Sequence, residues 1–442
     1  MVGRAASAGE TDTTGTDTAG TDPAETDPGR QWPPPRRAPV ALYVHFPFCV
    51  SLCPYCDFVV YAGADARGPR NRVEALLGAL ETELELRADA LDVAFARPGT
   101  VERPPLDSLY VGGGTPSLMD ATSLGRLVDL VRRRFGLAAD AEVSLEANPG
   151  ADERGNPAAQ RRAGITRISF GAQSLDPVEL KRLGRRHAPG DVADAVRAAR
   201  QAGISSINLD LLYDVPNGTL DTWMSTLDEA LDLKPDHLSL YALTLDDPDA
   251  EGLTGPGGDH LPTPAGARRW RDVARPAQDE DRAAAQYHHA VDRLARAGFL
   301  GYEIANWARL GHESRHNGAY WERRPYEAVG PGAHAFDGAS RRWNAARLDA
   351  YVAALSPGDG GSPRLPPGGV EHLDEATAVA ERTILGLRTA RGLPLADAEQ
   401  APLADSFGWA IDEELLEVTD DARIVLTTRG RLLSNELFSR LV

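Results

Sequence analysis

Leu42-Tyr43-Val44-His45-Phe46-Pro47-Phe48 runs directly into Cys49, and Cys53 and Cys56 follow, so an extended apolar segment delivers a C-x3-C-x2-C triplet. These are the only cysteines in the chain. An odd number of thiols cannot close a disulfide framework, and the sequence shows no secretory signal peptide. Three thiolates can instead hold three corners of a cubane iron–sulfur cluster and leave the fourth iron open to a small ligand. The same spacing also fits a structural zinc site with His45 as fourth ligand, or three buried thiols with no metal.

Downstream, Leu109-Tyr110-Val111 leads into Gly112-Gly113-Gly114-Thr115-Pro116, a strand ending in three glycines. Glycine lets the backbone approach a ligand and leaves its polar groups free to bind it. Further strands are expected at 41–47, 108–112, 141–147, 165–171, 206–212 and 237–243, with amphipathic stretches such as Val73–Leu91 and Ser123–Phe135 between them. Six such units imply an α/β fold, with a parallel sheet that is open or curled into a partial barrel. Ligands in such folds bind at the C-terminal strand ends. Glu146, Gln173 and Asp210 fall there, beside the cysteine loop, and buried carboxylates need partners. Bracing a loop or capping a helix is the other reading of these three.

With 47 basic against 65 acidic residues the formal charge is −18, which argues against sequence-independent nucleic-acid binding. Lys181 and Lys234 are the only lysines, a bias that looks like genomic base composition. No apolar run reaches the roughly 18 residues of a membrane span. A reducing, cytoplasmic setting suits an exposed cluster.

Residues 1–38 read as a disordered low-complexity tail, 39–245 as the barrel and 246–284 as a Pro/Gly-rich surface insertion. Residues 285–360 read as a barrel extension opening with a helix over Ala283–Gly298. Residues 371–442 read as a C-terminal winged-helix-like α+β domain: a helix over Asp374–Leu387, a strand over Ala422–Thr428, then a helix over Gly430–Leu441.

The cysteine triplet and the glycine run together resemble the radical S-adenosylmethionine (SAM) superfamily. The resemblance implies a partial (β/α)6 barrel in which Cys49, Cys53 and Cys56 hold a [4Fe–4S] cluster. SAM would chelate the open iron, the glycines would meet its methionyl amine, and Tyr55 would pack near its adenine. The runs Tyr43–Cys49, Gly112–Ser117, Asp210–Tyr213, Ser239–Thr244 and Val329–His334 are similar to the oxygen-independent coproporphyrinogen III oxidase family. That resemblance adds Tyr43, Gly113, Gly114, Thr115, Glu146, Gln173, Arg185, Asp210 and Ala242 as the lining of the SAM site. Arg185 would pair with a SAM carboxylate and Gln173 and Asp210 with ribose hydroxyls.

Two branches of the family diverge here. The oxidase branch carries a fourth cysteine, and Phe58 stands at that position. The HemW-type haem chaperone branch carries H-N-x-x-Y-W, matched by His316-Asn317-Gly318-Ala319-Tyr320-Trp321. The resemblance therefore implies haem as a third bound group, with His316 as ligand and Asn317, Tyr320 and Trp321 beside it; His334 is a lesser candidate. Taken alone, a histidine among aromatics is more often a packed core residue. The expected partners are haem or a porphyrin, an acceptor haemoprotein and, if the cluster is redox-active, an electron donor. Radical decarboxylation of coproporphyrinogen III is the alternative activity, and a zinc protein without turnover a third reading.

Overall fold

The computed structural model describes residues 36–63, 72–95, 103–245, 252–255, 257–358, 361–398 and 404–441. Of the expected N-terminal tail, residues 1–35 lie outside this set.

All six expected strands form: β1 (Ala41–Phe46), β2 (Leu106–Gly113), β3 (Leu137–Ala147), β4 (Arg167–Gln173), β5 (Ser206–Tyr213) and β6 (His237–Ala242). Each pairs in parallel with the next, and helices such as Arg72–Phe95, Ala121–Arg134, Pro189–Gln201 and Leu220–Asp232 make the crossovers. Side chains alternate across these strands, apart from register shifts between Leu106 and Ser108 and between Gly171 and Gln173. Leu42, Val44, Leu109, Val111, Leu145, Ile168, Phe170, Ile207, Leu209, Leu238 and Leu240 point outward and join the large core beneath the helices. The intervening positions face inward and are polar. Tyr43, Tyr110 and Ser144 are register partners, and Ser169 pairs with Asn208. Asn208 satisfies three of these inward groups, donating to Ser169, Asp210 and Ser239 at 2.6, 2.7 and 2.9 Å. A polar interior is tolerable because it is hydrogen-bonded.

The remaining strands of the sheet are β7 (Leu300–Gly301), β8 (Asn306–Ala308), β9 (Tyr326–Val329), β10 (His334–Phe336), β11 (Ser340–Asn344) and β12 (Gly368–His372). The twelve-stranded order is β12-β11-β10-β9-β1-β2-β3-β4-β5-β6-β8-β7. The parallel set therefore has a seventh member, β9, lying beside β1 on the side away from β2. Antiparallel strands extend both edges, so this is an open partial barrel.

Two expectations are corrected. The segment at 246–284 is not only a loop: it carries a helix, Ala265–Ala274, with Arg271 buried. Its helical signal is short and lies between Pro264 and Pro276, which mask it. The last helix expected over Gly430–Leu441 is two short ones, Thr428–Leu432 and Ser434–Phe438, broken at Leu433. Thr427 caps the first, accepting from the Gly430 amide at 2.9 Å, and Gly430 packs against the Leu415 carbonyl, which holds that turn apart from the next. The helix Glu375–Leu387, capped by Asp374, and a small antiparallel sheet of Leu393–Pro394, Arg423–Leu426 and Leu416–Val418 share a second, smaller core.

Candidate functional site

The cysteine loop lies over the C-terminal ends of the strands. It is held from three directions. Thr115, just past β2, donates its hydroxyl to the Cys49 sulfur at 3.3 Å. Arg185 donates from Nη1 to the Cys53 sulfur at 3.4 Å. From the helix that the sequence hid, Arg271 donates to the carbonyls of Pro54, Tyr55 and Cys56 at 3.2, 3.3 and 3.0 Å. Tyr55 packs near the ring of Trp270 on that helix.

The glycine run approaches the chain's own backbone closely, and the Gly114 amide donates to the Phe46 carbonyl at 2.8 Å. A Cβ on Gly114 would sit 2.7 Å from the Phe48 carbonyl oxygen, so only glycine lets the end of β2 stack on the cysteine-bearing strand. Gly113, at φ +112°, donates its amide to Glu146 Oε2 at 2.8 Å, and Tyr110 donates its hydroxyl to Oε1 at 2.8 Å. Burial outweighs these donors and raises the Glu146 pKa to about 7. Asp210 accepts from Ser169 at 2.8 Å, and burial raises its pKa too. Gln173 sits at φ +67° on a bulge of β4, a backbone state that favours glycine and concentrates at binding sites. Ala242 closes β6 opposite Tyr213, at the same end of the barrel. Tyr43 lies deeper, its hydroxyl 2.9 Å from His45 Nδ1.

Arg185 does more than the sequence suggested. Its Nη2 donates to Asn148 Oδ1 at 2.5 Å and to the Gly171 carbonyl at 2.7 Å, while its buried Nε has no hydrogen-bond partner among the described residues. Asn148 in turn donates to Thr115 and to Glu153 Oε2, at 3.2 and 2.6 Å. Asn148, Glu153 and Arg271 were not singled out from sequence. The signal for Asn148 was there, two residues after Glu146 on the same strand end; Arg271 had none.

The residues fit an iron–sulfur cluster. All three thiols sit on one loop over the strand ends, and Thr115 and Arg185 already donate to two of the sulfurs, as they would to bound thiolates; burial raises the Cys49 thiol to about 11 and Cys56 as well, so without a cation both are neutral. The zinc reading loses its fourth ligand, because His45 is engaged through both ring nitrogens, to Tyr43 and to the Val59 carbonyl at 2.8 Å. Among the described residues no group of three or more His, Cys, Asp or Glu is placed to hold a metal ion, the three cysteines included.

His316 is placed elsewhere. The helix Arg315–Trp321, capped by Ser314, packs against β2 at its N-terminal half, the end opposite the cysteines. The imidazole is 1 % exposed. Its Nδ1 lies 2.9 Å from Ser108 Oγ and its Nε2 2.8 Å from the Tyr320 hydroxyl. Burial lowers its pKa to about 3. In this structure both nitrogens are in use, as in a packed core histidine. Tyr320 also stacks edge-on against Tyr326 at 4.5 Å, Trp321 lies under the Arg388 guanidinium, and the Asn317 amide serves the Ser314 cap.

Residues 43–230 match the radical SAM superfamily. The fold agrees: coproporphyrinogen III oxidase (HemN) from Escherichia coli superposes with a TM-score of 0.71 at 22 % identity, covering 92 % of this chain and 90 % of that one. The protein is therefore a radical SAM protein, a class whose members carry a [4Fe–4S] cluster and SAM. Within that class, the heme chaperone HemW of Mycobacterium tuberculosis is 38 % identical over 411 residues, 91 % of this chain and 95 % of that protein. HemW of Escherichia coli is 36 % identical over 296 residues, 67 % of this chain and 70 % of its own length. The chain belongs to the HemW heme chaperone family.

Proposed function

We propose that this protein is a haem chaperone: it binds haem and hands it to an apo-haemoprotein, while a [4Fe–4S] cluster on Cys49, Cys53 and Cys56 and a SAM molecule occupy the barrel mouth. The kinship with HemW over nearly the whole length of both chains supports this. The observation in the site that favours it over porphyrin oxidation is Phe58. It replaces the fourth cysteine of the oxidase pattern and is 64 % exposed, so no sulfur ligand stands there. Tyr55, Gly113, Gly114, Thr115, Glu146, Gln173, Arg185, Asp210 and Ala242 surround the SAM position, with Tyr43 beneath. The cluster and SAM supply one-electron chemistry when bound; the chain's own part is to hold the cysteine loop rigid through Thr115, Arg185 and Arg271. No described helix is long and apolar enough to cross a membrane.

The test is anaerobic incubation of cluster-reconstituted protein with haem and, separately, with coproporphyrinogen III, SAM and a reductant. Saturable haem binding with transfer to an apo-haemoprotein, and no protoporphyrinogen IX, is the expected result. Protoporphyrinogen IX formation would replace this reading with the oxidase.

A further inference from the structure

We propose that Asn148, held in place by Glu153, is the positioning residue that aims both hydrogen bonds reaching the cysteine sulfurs: it turns the Thr115 hydroxyl onto Cys49 and holds the Arg185 guanidinium against Cys53. This rests on the part of the reading above that puts a [4Fe–4S] cluster on the three cysteines. Asn148 stands one residue past β3, and Pro149 after it biases its backbone to extended states, which restricts where the side chain leaves the strand end. Its amide has one orientation. Oδ1 accepts from Arg185 Nη2 at 2.5 Å, and a guanidinium only donates. Nδ2 donates to Glu153 Oε2 at 2.6 Å, and a carboxylate only accepts. A flipped amide would set N–H against N–H on one side and oxygen against oxygen on the other.

That direction passes on to the sulfurs. The second Nδ2 hydrogen goes to Thr115 Oγ1 at 3.2 Å and occupies a lone pair of that hydroxyl. The single hydroxyl proton is then left for the Cys49 sulfur, 3.3 Å away. On the other arm, the bond to Asn148 holds the guanidinium whose Nη1 donates to Cys53 at 3.4 Å. Glu153 is itself fixed: it is 4 % exposed, and Arg186 pairs with its Oε1 at 3.4 Å. A Cβ on Gly171 would lie 3.5 Å from Asn148 Oδ1 and 3.4 Å from Arg185 Nη2, so the end of β4 packs against this pair. Asn148 and Glu153 thus act through two donors. Hydrogen bonds to cysteine sulfur favour the electron-rich reduced cluster and so help set its potential.

The test reverses the wiring at constant charge. Asn148→Asp combined with Glu153→Gln keeps Oδ1 for Arg185 and remakes the bond between the two positions from the other end, but position 148 now accepts from Thr115 and draws its proton off Cys49. In a redox titration of full-length, anaerobically reconstituted protein followed by EPR, the reduced-to-oxidised ratio at a fixed potential should fall about tenfold, or about 59 mV for a one-electron couple. Iron and sulfide content and the unfolding midpoint should stay as in the parent. In Thr115→Val protein, which has no proton to turn, the same pair of substitutions should leave the ratio where Thr115→Val alone puts it. An equal shift in both backgrounds would mean that the relocated charge acts directly, and no shift in either that the hydroxyl is not aimed by Asn148; each overturns the proposal while the cluster stands. Asn148→Ala gives a second reading should the paired variant fail to take up iron: its shift should shrink in the Thr115→Val background, and full additivity overturns the proposal. If the unsubstituted protein reconstitutes without iron and sulfide, the cluster reading falls and the proposal with it.

Discussion

Replacing His316 by alanine separates a structural histidine from a haem ligand. The substitution strands two buried partners, the Ser108 hydroxyl and the Tyr320 hydroxyl. Each unsatisfied group costs about 1–3 kcal/mol, and the emptied ring volume adds to that, for a total of about 4 kcal/mol. At roughly 2 °C per kcal/mol for a large domain, the unfolding midpoint falls by about 8 °C. The loss also has a pH signature. Burial lowers the His316 pKa from 6.5 to about 3, so between those values the unfolded chain takes up a proton that the folded one refuses. Stability of the parent therefore declines as pH falls through that window, by at most about 1.4 kcal/mol per unit, and His316→Ala lacks this contribution. Circular dichroism melts at neutral and mildly acidic pH, with a haem titration on the same preparations, measure all three. Haem affinity per folded molecule should survive. An unchanged melting curve with a lost Soret band would refute the packing argument and return His316 to the iron.

Three further outcomes follow from the mouth of the barrel. Glu146, with its pKa near 7, is mostly neutral at about pH 6 and mostly ionised at about pH 8, so affinity for the sulfonium-bearing SAM should rise about tenfold across that range; Glu146→Gln should flatten the profile in anaerobic equilibrium dialysis, and a flat parental profile would count against Glu146 facing SAM. Arg271→Ala removes every recorded tie between that guanidinium and the loop carbonyls, and Arg271→Lys cannot span them with one ammonium; both should lose iron to a chelator several-fold faster than the parent, with the secondary structure intact. Gly114→Ala forces a methyl group onto the Phe48 backbone and should lower iron and sulfide content after reconstitution, whereas Gly78→Ala, in open space on a helix, should not.

The barrel was legible because its strands alternate. In Ile168-Ser169-Phe170 or Ile207-Asn208-Leu209-Asp210 the apolar residues meet helices and the polar ones meet each other, a two-residue period visible without any tertiary information. The cysteines, the glycines and the ends of β3, β4 and β5 were legible for the same reason: local pattern sets which end of a strand they occupy. What was hidden is non-local. Tyr326–Val329 is too short to announce itself as a parallel strand, and its place beside β1 depends on a chain return of nearly 300 residues. Arg271 reads as one arginine among several in Arg268-Arg269-Trp270-Arg271, and only the fold turns it, of these, toward the loop carbonyls. The motif beginning at His316 is visible as a pattern, but nothing local says which end of the barrel it closes.

That last point bears on how the molecule divides its work. Below, Arg167 donates to the His312 carbonyl at 2.9 Å and to Ser206 at 3.1 Å, His237 bridges Asn208 and Tyr302 at 2.7 and 2.8 Å, and His316 joins Ser108 to Tyr320. These groups are satisfied by one another, and burial holds His237 and His316 neutral at physiological pH. Above, the arrangement is the reverse: Arg185 Nε is buried without a partner among the described residues, burial raises the Glu146 pKa to about 7, and Gln173 is held at a positive φ. Unfilled bonding capacity in a protein collects where a ligand completes it. The floor of the barrel thus holds a hydrogen-bonded network that stabilises the scaffold, while Arg185 Nε, Glu146 and Gln173 stand open beside the cysteine loop; other buried atoms without a partner among the described residues, such as Ser144 Oγ and Trp321 Nε1, lie elsewhere.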